Sequence, residues 1–329
     1  MKFSGIGGQA VMEGVMMRNG KDYAIAVRLN DGSIHVDKKK TKGQDGIWYR
    51  IPIIRGICNF ISSFVIGMST LMDSAAYFEE ENPKNLTEEE KKKKEKRDKV
   101  EMTGTVIFSV VLALVIFLLI PYYFSRIVGR WVDSKTLMAF LEGVLRIVIF
   151  VIYIKAISCM EDIRRVFMYH GAEHKCINCI EHGLPLTVEN VRKSSRQHKR
   201  CGTSFLLFVL VISMVVFMFI RFDAAWMQLL CRLLLVPLIA GVSYEFIRLA
   251  GRSENAVVQI FSKPGLWLQK LTTSEPDDAM IEVGMASVEA VFDWKTFQEE
   301  NKECFHEVKR DDTGTCRTTE KSGNSRCRR

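Results

Sequence analysis

MTGTVIFSVVLALVIFLLIPYYF, residues 102–124, carries no charge over 23 positions. At about 1.5 Å per residue, such a run crosses a hydrocarbon core of roughly 30 Å. Gly202 to Ile220 repeats the pattern over 19 uncharged residues. Two further apolar blocks, Thr136 to Ile154 and Ala224 to Tyr244, hold isolated charges: Glu142 and Arg146 in the first, Arg232 in the second. Glu142 and Arg146 sit four apart with the acid first, the favourable order for an ion pair on one helix face. A paired charge costs far less in lipid than a lone one. Four such blocks favour lipid over the buried helices of a soluble domain. The expected fold is therefore mainly α, a polytopic membrane protein with about four transmembrane helices in residues 101–250. A composition of 48% hydrophobic beside 26% charged residues agrees.

Lysine and arginine set the orientation. Lys91 to Lys94, Lys96, Arg97 and Lys99 precede the first run, whereas only Arg126, Arg130 and Lys135 separate the first two. The stretch between the second and third runs is basic again, from Lys155 to Arg200, and Arg221 stands alone after the third. Both termini and a His-rich loop, 159–201, are expected in the cytoplasm, with the chain multi-pass in the plasma membrane. In that reducing compartment the nine cysteines read as free thiols or ligands and not as disulfides. Met1 to Gly20 has no long apolar stretch of the kind a cleavable signal peptide needs. The net charge of +8 reads as positive-inside bias and attraction to anionic lipid. The bilayer is the expected partner, and no specific nucleic acid is.

Outside the apolar runs, residues 1–50 read as a glycine-rich β-hairpin region. Tyr23 to Leu29 and Ser33 to Val36 flank a turn at Asn30-Asp31-Gly32. Before them, four glycines in ten residues suit either a close approach of the backbone to a partner or a plain entry to a small sheet. Residues 51–78 are too polar for a span and too apolar for a loop, which suits an interfacial or re-entrant helix. Residues 79–100 form a charged linker or solvated helix. In 251–300, Pro264-Gly265 is expected to break the chain ahead of a short amphipathic helix on the membrane face. Glu275-Pro-Asp-Asp278 then caps a second helix, Ala279 to Phe292. Residues 301–329 are polar and expected to be disordered.

Chemistry concentrates between the second and third runs. His170 and His174 are four apart, so on a helix they share a face, with Glu173 one residue round. His-x-x-Glu-His is also the inverted zincin arrangement, in which two histidines hold zinc and a glutamate activates water. His170, His174, His182 and His198 are four of the six histidines in the chain, and Cys176, Cys179 and Cys201 accompany them. The strongest ligand set is His170, His174, His198 and Cys201, since imidazoles and a thiolate suit zinc. Glu245, after the fourth run, is a further carboxylate at the same level. A closed structural knuckle of Cys176, Cys179, His182 and Cys201 competes with this reading, as does a metal-free polar network.

Gly7-Gly-Gln-Ala-Val-Met-Glu-Gly-Val-Met-Met-Arg18, Tyr169-His-Gly-Ala-Glu-His174, His198-Lys-Arg-Cys-Gly-Thr-Ser-Phe205 and Leu271-Thr-Thr-Ser-Glu-Pro-Asp-Asp278 together resemble the YqhQ-like family of bacterial membrane proteins. The resemblance covers roughly residues 5 to 295. It implies a metal-dependent enzyme and names no reaction. Lys199 departs from the family pattern, where Pro is expected between His and Arg-Cys.

Two functions follow. The first is a membrane hydrolase with a divalent metal, zinc, at the cytoplasmic leaflet. Glu173 would act there as general base for attack on a peptide, lipid or phosphoester bond of a membrane protein or lipid substrate. The alternative is a non-catalytic scaffold or membrane-protein assembly factor with a structural metal. Glu142, Arg146 and Arg232 fit either, lining a polar groove or pairing between helices. Four spans without a visible repeat do not favour a transporter.

Overall fold

A computed structural model describes residues 2–41, 46–78, 88–131, 134–220, 222, 224–251, 255–302 and 305. The N-terminal region is a four-stranded antiparallel meander, β1 (Gly7–Val11), β2 (Gly14–Asn19), β3 (Asp22–Arg28) and β4 (Ile34–Lys40), in that spatial order. The expected hairpin is its β3–β4 half, with Gly32 at φ +83° in the turn. The glycine-rich stretch ahead of it supplies two more strands. Strand alternation gives the sheet two buried faces. Val15, Met17 and Ala26 pack on Tyr169, Ala172, Met280 and Ile281, while Met16, Ile25 and Val27 pack with Ile66 and Phe78.

Eleven helices follow among the described residues: α1 (Ile54–Ala76), α2 (Glu88–Leu114), α3 (Ile120–Val128), α4 (Lys135–Ile157), α5 (Glu161–Glu181), α6 (Val188–Lys193), α7 (Gly202–Phe219), α8 (Ala225–Ala250), α9 (Ala256–Thr272), α10 (Asp278–Val291) and α11 (Trp294–Glu300). A π-helical turn, Val115–Leu119, joins α2 to α3 immediately before Pro121. The wider turn accommodates a ring that cannot donate to the helix ladder. Residues 79–87, part of the stretch read as a charged linker, lie outside the described residues, as do 303–304 and 306–329 of the tail.

Among the described residues, five helices are long and apolar enough to cross a membrane: Ile54–Ala76, Val100–Val128, Thr136–Ile157, Gly202–Phe219 and Trp226–Ala250. The first, α1, is the one beyond the four expected, and it packs unlike the others. It starts against the bundle, where a Cβ on Gly56 would meet the Gly241 carbonyl oxygen at 2.8 Å and Phe60 stacks on Phe205 at 5.1 Å. It ends against the sheet, where Ser74 accepts from the Met12 amide at 3.1 Å and Asp73 pairs with Lys39 at 2.8 Å. Ile61, Phe64, Val65, Leu71 and Met72 remain exposed on its outer side.

Glu142, Arg146 and Arg232, the charges inside the expected runs, form one buried cluster. Glu142 accepts from Arg146 at 2.8 Å, from Arg232 at 2.5 and 3.1 Å, and from Ser125 at 3.1 Å. Arg146 also donates to the Phe117 carbonyl in the π turn at 2.7 Å.

Residues 159–201, expected as a loop, contain α5 and α6. With α10 and the sheet they make a separate layer beside the bundle, because α5 buries an apolar face of its own: Tyr169, Ala172, Cys176, Ile177 and Ile180. α10 begins as expected, Asp277 capping it by accepting from the Met280 amide at 2.8 Å. α9 corrects the sequence reading. It runs through Pro264 without the expected break, and its second half has two faces, with Leu268 and Gln269 fully enclosed and Trp267 exposed.

Candidate functional site

Helix α5 brings His170, Glu173 and His174 to one place, and the N-cap of α7 brings Cys201. One ligand atom from each of His170, His174 and Cys201 lies within 4.8 Å of the other two. His170 Nε2 is 3.2 Å from Cys201 Sγ. Both imidazoles are held from behind: His170 Nδ1 contacts the Thr272 carbonyl at 2.8 Å, and His174 Nδ1 the Arg196 carbonyl at 2.6 Å. A carbonyl only accepts, so each Nδ1 carries a proton and each Nε2 is the ring nitrogen left to face inward. Histidines that bind metals are commonly oriented this way.

Local packing explains how the partners arrive. A Cβ on Gly171 would fall 2.1 Å from the Ser274 carbonyl oxygen, so only glycine lets the 272–274 backbone cross α5 and deliver the Thr272 carbonyl. The segment before Cys201 is pinned to α5 by Lys175 on the Arg192 carbonyl and by Asn178 on the Ser195 and Gln197 carbonyls. Gln269 of α9 clamps the same segment, accepting from the His198 amide at 2.8 Å and donating to its carbonyl at 2.7 Å. Glycine at position 8 serves Glu173: a Cβ there would lie 2.8 Å from Glu173 Cγ and 2.7 Å from the Met16 carbonyl oxygen. The partner that the glycine-rich stretch approaches is therefore Glu173.

Glu173 Oε2 stands 3.8 Å from His170 Nε2 and 3.9 Å from His174 Nε2, beyond hydrogen-bond range and within reach through one water. Burial disfavours charge on every group here, yet the histidines outweigh it for Cys201, whose thiol is held well below its ordinary range. Its position at a helix N-terminus acts in the same direction. Against the same burial, the Cys201 thiolate lifts His170 to about 9 and raises His174. Two imidazole nitrogens and a thiolate with a carboxylate alongside are a donor set that suits zinc, and three such ligands would leave a coordination position open.

Two expected ligands lie elsewhere. His198 is buried 5.7 Å from His174 between ring centroids, but its Nε2 faces Arg200 at 3.1 Å and Glu181 Oε2 at 3.6 Å. Burial works against the Glu181 carboxylate, but His198 and Arg200 hold it down at about 2. Glu245 faces α1 in a bidentate pair with Arg55. The competing knuckle does not assemble, since Cys176 and Cys179 point into the core, where burial pushes the Cys176 thiol well up and that of Cys179 to about 11. Thr272, Arg196 and Gln269 act through backbone or amide groups that residue type does not reveal, although Thr272 falls within one of the motif blocks.

The trio sits in a cleft of about 450 Å³. Gly5 to Gln9 and Arg18 of the sheet, Asn59, Ser63 and Ile66 of α1, and Tyr244 of α8 form its other walls.

Comparison with known proteins gives a family and no solved relative. The model of "Protein of unknown function (DUF1385)" matches residues 51–294. The chain is 34% identical over 307 residues to the "Uncharacterized protein YqhQ" of Bacillus subtilis (strain 168), an alignment covering 92% of this chain and 96% of that one. No solved structure matches. By both measures the chain belongs to the DUF1385 family, of unknown function.

Proposed function

We propose that this protein is a metal-dependent hydrolase working at the surface of the membrane that its apolar helices cross. The observation that carries the reading is the convergence of His170 Nε2, His174 Nε2 and Cys201 Sγ within 4.8 Å, beside Glu173 and open to a cleft. His170, His174 and Cys201 would hold the ion, zinc by its preference for nitrogen and sulfur. When bound, it supplies Lewis acidity toward a carbonyl or phosphoryl oxygen and acidifies water.

The chain's own residues supply the rest. Glu173, held against Gly8, accepts a proton from water in the cleft and returns it to the leaving group. The Thr272 and Arg196 carbonyls keep both imidazoles in one tautomer. α1 reads as an interfacial helix, its apolar side in lipid and its polar side, with Asn59 and Ser63, on the cleft. The lysine and arginine distribution supports a cytoplasmic position for the sheet, α5 and α10.

The test is hydrolysis by the full-length protein in lipid nanodiscs, with zinc and after chelation, against ester, phosphoester and peptide panels. Zinc-dependent cleavage of one class is expected, with Glu173→Gln slowing it on the order of 10²–10⁴-fold while keeping fold and metal. A non-catalytic scaffold with a structural ion is the competing reading, and the open cleft beside Glu173 weighs against it. Full activity in Glu173→Gln, or no cleavage by the zinc-loaded protein, would overturn the hydrolase.

A further inference from the structure

Arg18 differs from most arginines around the sheet and helix layer. Arg28, Arg55, Arg165, Arg192 and Arg200 each hold a carboxylate. Arg18, half-buried on β2, makes a single bond, from Nε to the Gly20 carbonyl at 2.9 Å. Both terminal nitrogens of its guanidinium have no partner among the described residues. Among the described residues, the ionisable groups that bear on it are two phenols, Tyr49 and Tyr244, and no carboxylate. A planar fork with its outer donors free is suited to bidentate capture of phosphate.

The location narrows what that anion belongs to. Arg18 continues the Met16 face of β2, the face turned to α1, and it lines the same cleft as His170, His174 and Cys201. A volume of about 450 Å³ suits a small polar head group and is far too small for a folded partner. The α1 wall has Asn59 and Ser63 on the cleft and Ile61, Phe64 and Val65 exposed behind them, and Ile47 and Trp48 are exposed just before it. An exposed tryptophan beside an amphipathic helix is a common anchor at the lipid–water boundary. A head group in this cleft therefore has lipid within reach of its chains.

We propose that the cleft binds a lipid bearing an anionic phosphate, gripped by the free fork of Arg18 and presented to the His170–His174–Cys201 site. This deepens the hydrolase reading and rests on it for the chemical consequence, by naming a phospholipid-type substrate. The binding step requires no metal, which lets the two claims fail separately.

The experiment titrates full-length detergent-solubilised protein with dihexanoyl phosphatidic acid, dihexanoyl phosphatidylcholine and inorganic phosphate, following thermal stability and calorimetric binding, with and without chelator. Short-chain phosphatidic acid is expected to bind and stabilise in both conditions, phosphatidylcholine weakly, and free phosphate only at far higher concentration. Arg18→Ala should weaken phosphatidic acid binding by about tenfold or more, and Arg18→Lys should recover part of that loss, with metal content unchanged in both. Lipid binding retained in His174→Ala despite its loss of metal would support this site as independent of the ion, and wild type that binds the lipid but takes up no metal would sink only the hydrolase. Equal lipid affinity in wild type and Arg18→Ala would overturn the inference and leave the metal centre standing. Free phosphate binding as tightly as the lipid, or phosphatidylcholine binding equally well, would also overturn it.

Discussion

The backbone at Ser274 passes so close to Gly171 that a Cβ there would lie 2.1 Å from the Ser274 carbonyl oxygen. This contact sits at the centre of His170-Gly-Ala-Glu-His174 and sets where the Thr272 carbonyl meets His170. Gly171→Ala is expected to push the 272–274 segment off α5, costing about 1–3 kcal/mol or more. Zinc affinity should fall with it, although no ligand has changed. Thermal unfolding and zinc titration of the variant check both.

The motif shows how far residue type and spacing reach. Paired histidines on one helix face, uncharged runs and the Asp277 cap are local features, and all three were legible. The sheet was half hidden because β1 and β2 each open on glycine, and Gly8 reflects contact with Glu173 and not strand propensity. Glu245 and His198 had the right chemistry at the right level of the fold. Arg55 pairs with Glu245 across 190 positions, and His198 faces Glu181 and Arg200. The burial of Leu268 and Gln269 on one face of α9 was likewise invisible, since the partners of Gln269 at Ser204 and His198 lie about seventy positions away.

Glu142 is the one carboxylate that Arg146 and Arg232 share. Glu142→Gln leaves two buried guanidiniums without a counter-charge, and a loss on the order of 3–5 kcal/mol is expected. Thermal unfolding in detergent should show a markedly lower Tm, with the zinc site still competent in whatever protein remains folded.

Cys201 should be the reactive thiol of its region. In chelator-treated protein at neutral pH, alkylation is expected at Cys201 well before the core thiols Cys176 and Cys179, because only Cys201 is held as thiolate. Zinc should protect it. Peptide mapping after timed alkylation gives the order.

Glu181 carries a pH signature. Its folded value of about 2 lies below the ordinary 4.5, so the native state binds its proton less readily than the unfolded chain does. The resulting stability is fully present above pH 4.5 and is lost as pH falls toward 2, up to about 3 kcal/mol. Glu181→Gln should be less stable at neutral pH and should show a flatter decline across that acid window in thermal unfolding.

Metal content tests the central claim most directly. Full-length wild type and His174→Ala, purified without chelator and without a metal-affinity step, are compared by mass-spectrometric metal analysis after gel filtration. Near-stoichiometric zinc in the wild type and little in His174→Ala is the predicted result. Wild type that carries no transition metal and takes up none on zinc addition would contradict the account.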